Sequence, residues 1–110
     1  MKNGSIFNVA AGLPKIWQSQ ILGQVGDASI KVIRMGGEGI APEVHEHFDE
    51  LLLVIEGTLP LVVDGEQFTL DVGDYYFVPR GAWHQVPPGS VGTLLLVDIS
   101  PASESLSSVG

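Results

Sequence analysis

Every histidine in the chain, His45, His47 and His84, falls in one of two short segments marked by glycine and proline. No cysteine occurs among the 110 residues, so disulfides, thiolate nucleophiles and Fe–S clusters are excluded, and a metal ion would have to be held by histidine, aspartate or glutamate. The first segment, GIAPEVHEHFDELLLVIEG, runs from Gly39 to Gly57. On an extended strand its His-x-His spacing turns both imidazoles to one face, because side chains alternate with period two. Glu50 follows three positions after His47, with Asp49 beside it as a competing carboxylate. The second segment, GDYYFVPRGAWHQVPP, runs from Gly73 to Pro88 and delivers His84 just after a rigid Pro79-Arg80-Gly81 turn. Two imidazoles on one strand, a carboxylate past a bend and a third imidazole from another strand form a donor set that suits an octahedral or trigonal-bipyramidal divalent metal.

Three neutral imidazoles and one carboxylate around such an ion leave a net charge of about +1, with about one or two positions for water or a bidentate oxygen ligand. The expected guest is therefore a small anion or enolate. The ion can polarise a carbonyl, acidify a bound water or, as a redox-capable metal, bring dioxygen and substrate together. Nitrogen and oxygen donors accept Fe, Mn, Ni, Zn or Cu alike, so the sequence does not choose among them. Tyr75, Tyr76, Glu43 and Asp49 are the nearby candidates for an acid or base. Arg80, one of five basic residues, either meets an anionic substrate or makes a surface ion pair.

These side chains need a scaffold, and the chain reads as short β-branched or Leu-rich stretches punctuated by Gly, Pro and Asp, the pattern of an all-β sandwich or barrel. Strands are expected at Ile16 to Leu22, Ser29 to Met35, Ala41 to His47, Leu51 to Glu56, Leu59 to Val63, Glu66 to Leu70, Tyr75 to Val78, His84 to Val86 and Thr93 to Ile99. Asp64-Gly65 offers the positive φ angles of a type I′ hairpin, and Gly26-Asp27 marks a second turn. Pro60 implies a sheet edge or a kink. Asn8 to Leu13 can form one helical turn capped by Asn8 and stopped by Pro14. At least two of Tyr75, Tyr76 and Phe77 should pack in the core, and Trp17 and Trp83 read as packing or interface residues, with Trp83 pointing away from His84. Residues 1–100 form one expected domain, and the Ser-rich stretch 101–110 reads as a loose tail.

The two segments resemble the motifs of the cupin superfamily. Gly39, His45, His47, Glu50 and Gly57 follow the order of the first motif, with one interval short, since two residues separate His47 from Glu50 where the pattern has three or four. Gly73, Pro79, Gly81 and His84 fit the second, with Pro88 in place of a final Asn. The resemblance spans about Ser29 to Ser100. It implies a double-stranded β-helix, or jelly-roll barrel, holding a divalent metal on His45, His47, Glu50 and His84 near its open end. It further implies a metal-dependent dioxygenase, isomerase or lyase acting on a small oxygenated molecule, or else a binding or sensing module without turnover, and it favours a homodimer.

Charge and hydropathy narrow the rest. A net charge of -8 opposes nucleic-acid and membrane-surface binding. The N-terminus lacks the pattern of a signal peptide and the longest apolar runs are far too short to span a bilayer, so the expected location is the cytoplasm. A hydrophobic fraction of 45% in so short a chain agrees with some apolar surface meeting a second subunit.

Overall fold

The computed structural model describes residues 3–99; the tail expected at 101–110 lies outside them. One helix, α1 (Ile6–Ala11), precedes eight strands: β1 (Ser19–Val25), β2 (Ala28–Met35), β3 (Ile40–Glu43), β4 (Glu50–Val63), β5 (Glu66–Asp71), β6 (Tyr75–Val78), β7 (His84–Val86) and β8 (Val91–Asp98). The pairings are antiparallel in the order β1-β2-β8-β4-β7-β3, and β5 and β6 also pair with β4. The result is the expected all-β jelly-roll barrel.

β4 organises the barrel. One edge pairs with β6 over Glu50 to Leu53 and with β5 over Thr58 to Val63, while the other pairs with β8 over Leu51 to Thr58 and with β7 at Val62 and Val63. Two strands separated at Gly57 were expected here, yet the chain runs through as one. Gly57 and Gly92 make this possible: a Cβ on Gly57 would come within 1.9 Å of the Val91 carbonyl oxygen, and one on Gly92 within 2.0 Å of the Glu56 oxygen. Without Cβ atoms, β4 and β8 pass this close just after a register shift between Val54 and Glu56. Pro60 sits between the stretches of β4 that pair with β8 and β7, where a missing N–H is tolerated.

Alternation then sets the interior. Ile33 and Met35 of β2, Leu52, Val54, Leu59 and Leu61 of β4, and Leu94 and Leu96 of β8 are buried in a common core. Each such side chain contributes about 1.5–3 kcal/mol relative to exposure. Lys31 and Asp98 continue the inward rows of β2 and β8, and their buried side chains pair at 3.0 and 3.1 Å. The Asp64-Gly65 turn has φ angles of +48° and +84°, as a type I′ hairpin requires.

Three local expectations are corrected. The helix starts earlier than Asn8, because the Ser5 hydroxyl accepts from the Asn8 backbone N–H and so takes the cap position. α1 then covers the outer face of β2 with buried Ala10 and Leu13. Of the aromatic triplet only Tyr76 packs on the core, beside Phe68, whereas Tyr75 and Phe77 are 67% and 54% exposed because β6 turns them outward. β3 ends at Glu43 rather than reaching His47, which reshapes the site.

Candidate metal centre

Three strand termini converge at one end of the barrel: the last residue of β3, Glu43, and the first residues of β4 and β7, Glu50 and His84. Glu43 and His84 are paired across the β3–β7 ladder. His45 enters from the loop between β3 and β4, its ring stacked on buried Phe48 at 4.5 Å and 5.3 Å from the His84 ring. His45 Nε2 lies 3.6 Å from Glu43 Oε1 and 3.6 Å from Glu50 Oε2, and His84 Nε2 lies 3.5 Å from Glu43 Oε1 and 3.4 Å from Glu50 Oε1.

These spacings are long for hydrogen bonds, and all five atoms, including both Glu50 oxygens, are buried without a hydrogen-bond partner. An unsatisfied buried polar atom costs about 1–3 kcal/mol, more when charged. Five of them facing one another are what a shared cation would satisfy, and Glu43, His45 and His84 have the mutual spacing of metal ligands. The nitrogen and carboxylate donor set fits a first-row divalent ion. His84 is oriented for this: its Nδ1–H donates to the Ala82 carbonyl at 3.1 Å, leaving the Nε2 lone pair facing the cluster.

Without a cation, the carboxylates hold protons on the imidazoles. Burial opposes charge on His84, but Glu43, Glu50 and the Ala82 carbonyl outweigh it and raise its pKa to about 10. His45 is raised by Glu43, against burial, with further help from Glu50. Glu43 is lowered, because the attraction of both imidazoles exceeds the opposing effect of burial.

The structure brings together His45, Glu50 and His84 of the residues singled out from the sequence, and leaves His47 outside. His47 is exposed at a bend, since the backbone leaves extended geometry after Glu43 and period two no longer relates it to His45. With only two residues left before Glu50, Phe48 takes the inward position. Glu43 joins the cluster instead. The sequence offered it only as an acid or base, although its i, i+2 relation to His45 was the available signal. Asp49 faces elsewhere: its Oδ1 accepts from the Arg80 backbone N–H at 2.8 Å and lies 3.6 Å from the Arg80 guanidinium, which is an exposed surface pair.

Above the cluster lies a chamber walled by Trp17, Ile40, Leu52, Leu59, Leu61, Val86 and Leu94, with Glu43, Glu50, His84 and Gln85 as its polar members. Its free volume is about 20 Å³, room for about one or two waters. No helix among the described residues is long and apolar enough to cross a membrane.

An antiparallel β-barrel with histidine and glutamate side chains gathered at one end defines the class of small barrels with a candidate metal site. The sequence pattern of the cupin domain matches residues 31–99, and the chain belongs to the cupin family. It is 43% identical over 61 residues to a quercetin 2,3-dioxygenase of Bacillus subtilis and 35% identical over 66 residues to the tetracenomycin polyketide synthase protein TcmJ of Streptomyces glaucescens. These matches cover 54% and 59% of this chain but only 18% and 44% of the relatives. A crystal structure of a cupin-2 domain protein from Shewanella frigidimarina superposes with a TM-score of 0.77 at 20% identity, over 87% of this chain and 93% of that one.

Proposed function

We propose that the protein is a metal-dependent enzyme of the dioxygenase, isomerase or lyase type, acting on a small oxygenated molecule at a cation held by Glu43, His45, Glu50 and His84. The observation that carries this reading is the set of five buried, unpartnered donor atoms meeting at 3.4–3.6 Å. When bound, the cation would supply Lewis-acid activation or, if redox-active, an electron path to dioxygen. The name of the Bacillus relative supports the oxygenase branch.

Two carboxylates and two imidazoles balance a divalent charge, where the set expected from sequence left about +1. The guest is therefore an oxygen donor that sheds a proton on arrival, such as an enol, rather than a strongly charged anion. Glu43 is the group placed to take that proton, through the carboxylate oxygen other than Oε1, because its side chain is 19% exposed against 2% for Glu50. The apolar walls hold the body of the guest and exclude water. A homodimer completes the reading, with the outer sheet face and the open edge of β1 as the contact.

Oxygen uptake by protein loaded with iron, nickel or manganese, followed with a panel of enols, thiols and catechols, tests the branch. Uptake that His84→Ala abolishes supports an oxygenase, and silence across the panel removes that branch in favour of isomerase or lyase chemistry. A cation content far below about one per chain after supplementation overturns the reading as a whole. The competing reading is a binding module without turnover, which ligand binding with no product would reveal.

A further inference from the structure

We propose that the Trp17 indole is a movable wall of the chamber and sets the size of guest that reaches the cluster, an inference that rests on the metal-site reading above. The chamber as it stands holds about 20 Å³ of free volume, whereas sites for small organic molecules run to roughly 300 Å³ or more. That space takes a methyl-sized group, so something must move before a guest with a larger carbon body can enter. Ile40, Leu52, Leu59, Leu61, Val86 and Leu94 all belong to strands laddered into the barrel. Trp17 belongs to none.

The segment around it is a strap with one inward residue. Pro14, Lys15, Ile16 and Gln18 are exposed, and only Trp17 packs against the core. Three contacts hold it: the backbone N–H donates to the Arg34 carbonyl at 2.6 Å, Nε1–H donates to the Gly36 carbonyl at 2.7 Å, and Ile16 rests on Gly36 and Gly37. The rest is so close that a Cβ on Gly37 would come within 2.6 Å of Ile16 Cδ1. The closed position carries strain, because Trp17 has φ +63°, a left-handed conformation that a bulky aromatic residue rarely adopts. Strain on the closed form lowers the cost of leaving it. Outward rotation of Trp17 enlarges the chamber without breaking any strand pairing.

The test uses Trp83→Phe, which leaves Trp17 as the sole tryptophan and changes an exposed side chain. The protein is loaded with Ni(II), and two hydroxamates with the same chelating head are compared: acetohydroxamate, with a methyl body, and benzohydroxamate, with a phenyl body. Benzohydroxamate is expected to red-shift Trp17 emission and raise its quenching by acrylamide severalfold, while acetohydroxamate changes neither. Trp17→Gly, which relieves the strained φ and removes the wall, is expected to tighten benzohydroxamate about tenfold and leave acetohydroxamate unchanged. An indole that stays shielded while benzohydroxamate is bound overturns the proposal, as does weaker benzohydroxamate binding in Trp17→Gly, the mark of a fixed stacking surface. The emission measurement retains native Trp17, so it decides the matter even if Trp17→Gly fails to fold. Nickel content measured on the parent separates the two claims: no uptake overturns the metal site together with the gate, and normal uptake with an immobile indole overturns the gate alone.

Discussion

Glu43 and His84 stand opposite each other across the β3–β7 ladder, and their side chains meet at 3.5 Å in the cluster. Backbone pairing thus fixes the relative position of a carboxylate and an imidazole before any cation arrives. Glu43→Gln and His84→Ala are each expected to weaken cation binding by more than about tenfold, at least the loss typical of supporting residues around a metal. His47→Ala, at an exposed bend, is expected to keep the parent's cation content. Elemental analysis after equal loading checks both statements, and loss of the cation in His47→Ala would return the ligand set to the His-x-His pair.

The pH dependence of the cation-free protein follows from the same cluster. His84 is raised from 6.5 to about 10 in the folded state, so its stabilising contribution is complete below pH 6.5 and is lost as pH rises through about 10. The raised His45 acts in the same direction. Glu43, lowered from 4.5, contributes above that pH and loses its contribution as acid protonates it. The chelated protein should therefore be most stable between about pH 4.5 and 6.5 and should lose Tm steadily from neutrality towards pH 10. Cation loading requires neutral imidazoles, so the loaded protein should lack that alkaline decline. A chelated sample with a level Tm from pH 7 to 10 contradicts this.

Much of this architecture was legible in the sequence because its signals are local. Asp64-Gly65 needs two positive φ angles and announces its hairpin, and alternation along Leu52, Val54, Leu94 and Leu96 marks a half-buried sheet. His45, Glu50 and His84, which the structure brings together, stand at set intervals from glycine and proline markers. Glu43 was not singled out for the cluster, because its place there depends on where β3 stops, and a strand end is fixed by its partner β7 rather than by its own residues. The continuity of β4 through Gly57 was hidden for the same reason, since it depends on Gly92, 35 positions away in the chain (92 less 57).

The Lys31–Asp98 pair gives a stability prediction. Both side chains are buried, so removing one leaves an uncompensated charge, which costs about 3–5 kcal/mol. Asp98→Ala is expected to lose that much in denaturant unfolding. The double replacement Lys31→Met with Asp98→Leu should recover most of it, because a buried ion pair contributes little net stability over an apolar pair of similar volume. A double variant as unstable as Asp98→Ala would show that the pair has a role beyond mutual neutralisation.

The dimer prediction rests on β1 and the face beside it. β1 is seven residues without a charge or a proline, with Ile21, Leu22 and Val25 exposed, and its outer edge has no strand partner among the described residues. In register beyond it run Ile30, Val97, Leu51 and Phe77 across β2, β8, β4 and β6. Sedimentation is expected to give twice the chain mass, and Ile21→Lys combined with Phe77→Asp to give the single mass. A monomeric parent rules the dimer out.

The many partners of β4 also order the assembly of the molecule in time. Its C-terminal half closes onto β5 through a two-residue turn, a contact formed in about microseconds. Its N-terminal half waits for β8, with Leu51 meeting Val97 across a loop of most of the remaining chain. Glu50 is the first residue of that late half, so the cluster is completed near the end of folding. Substitutions at Leu61 or Phe68 should accordingly slow refolding, whereas those at Leu52 or Leu96 should chiefly hasten unfolding.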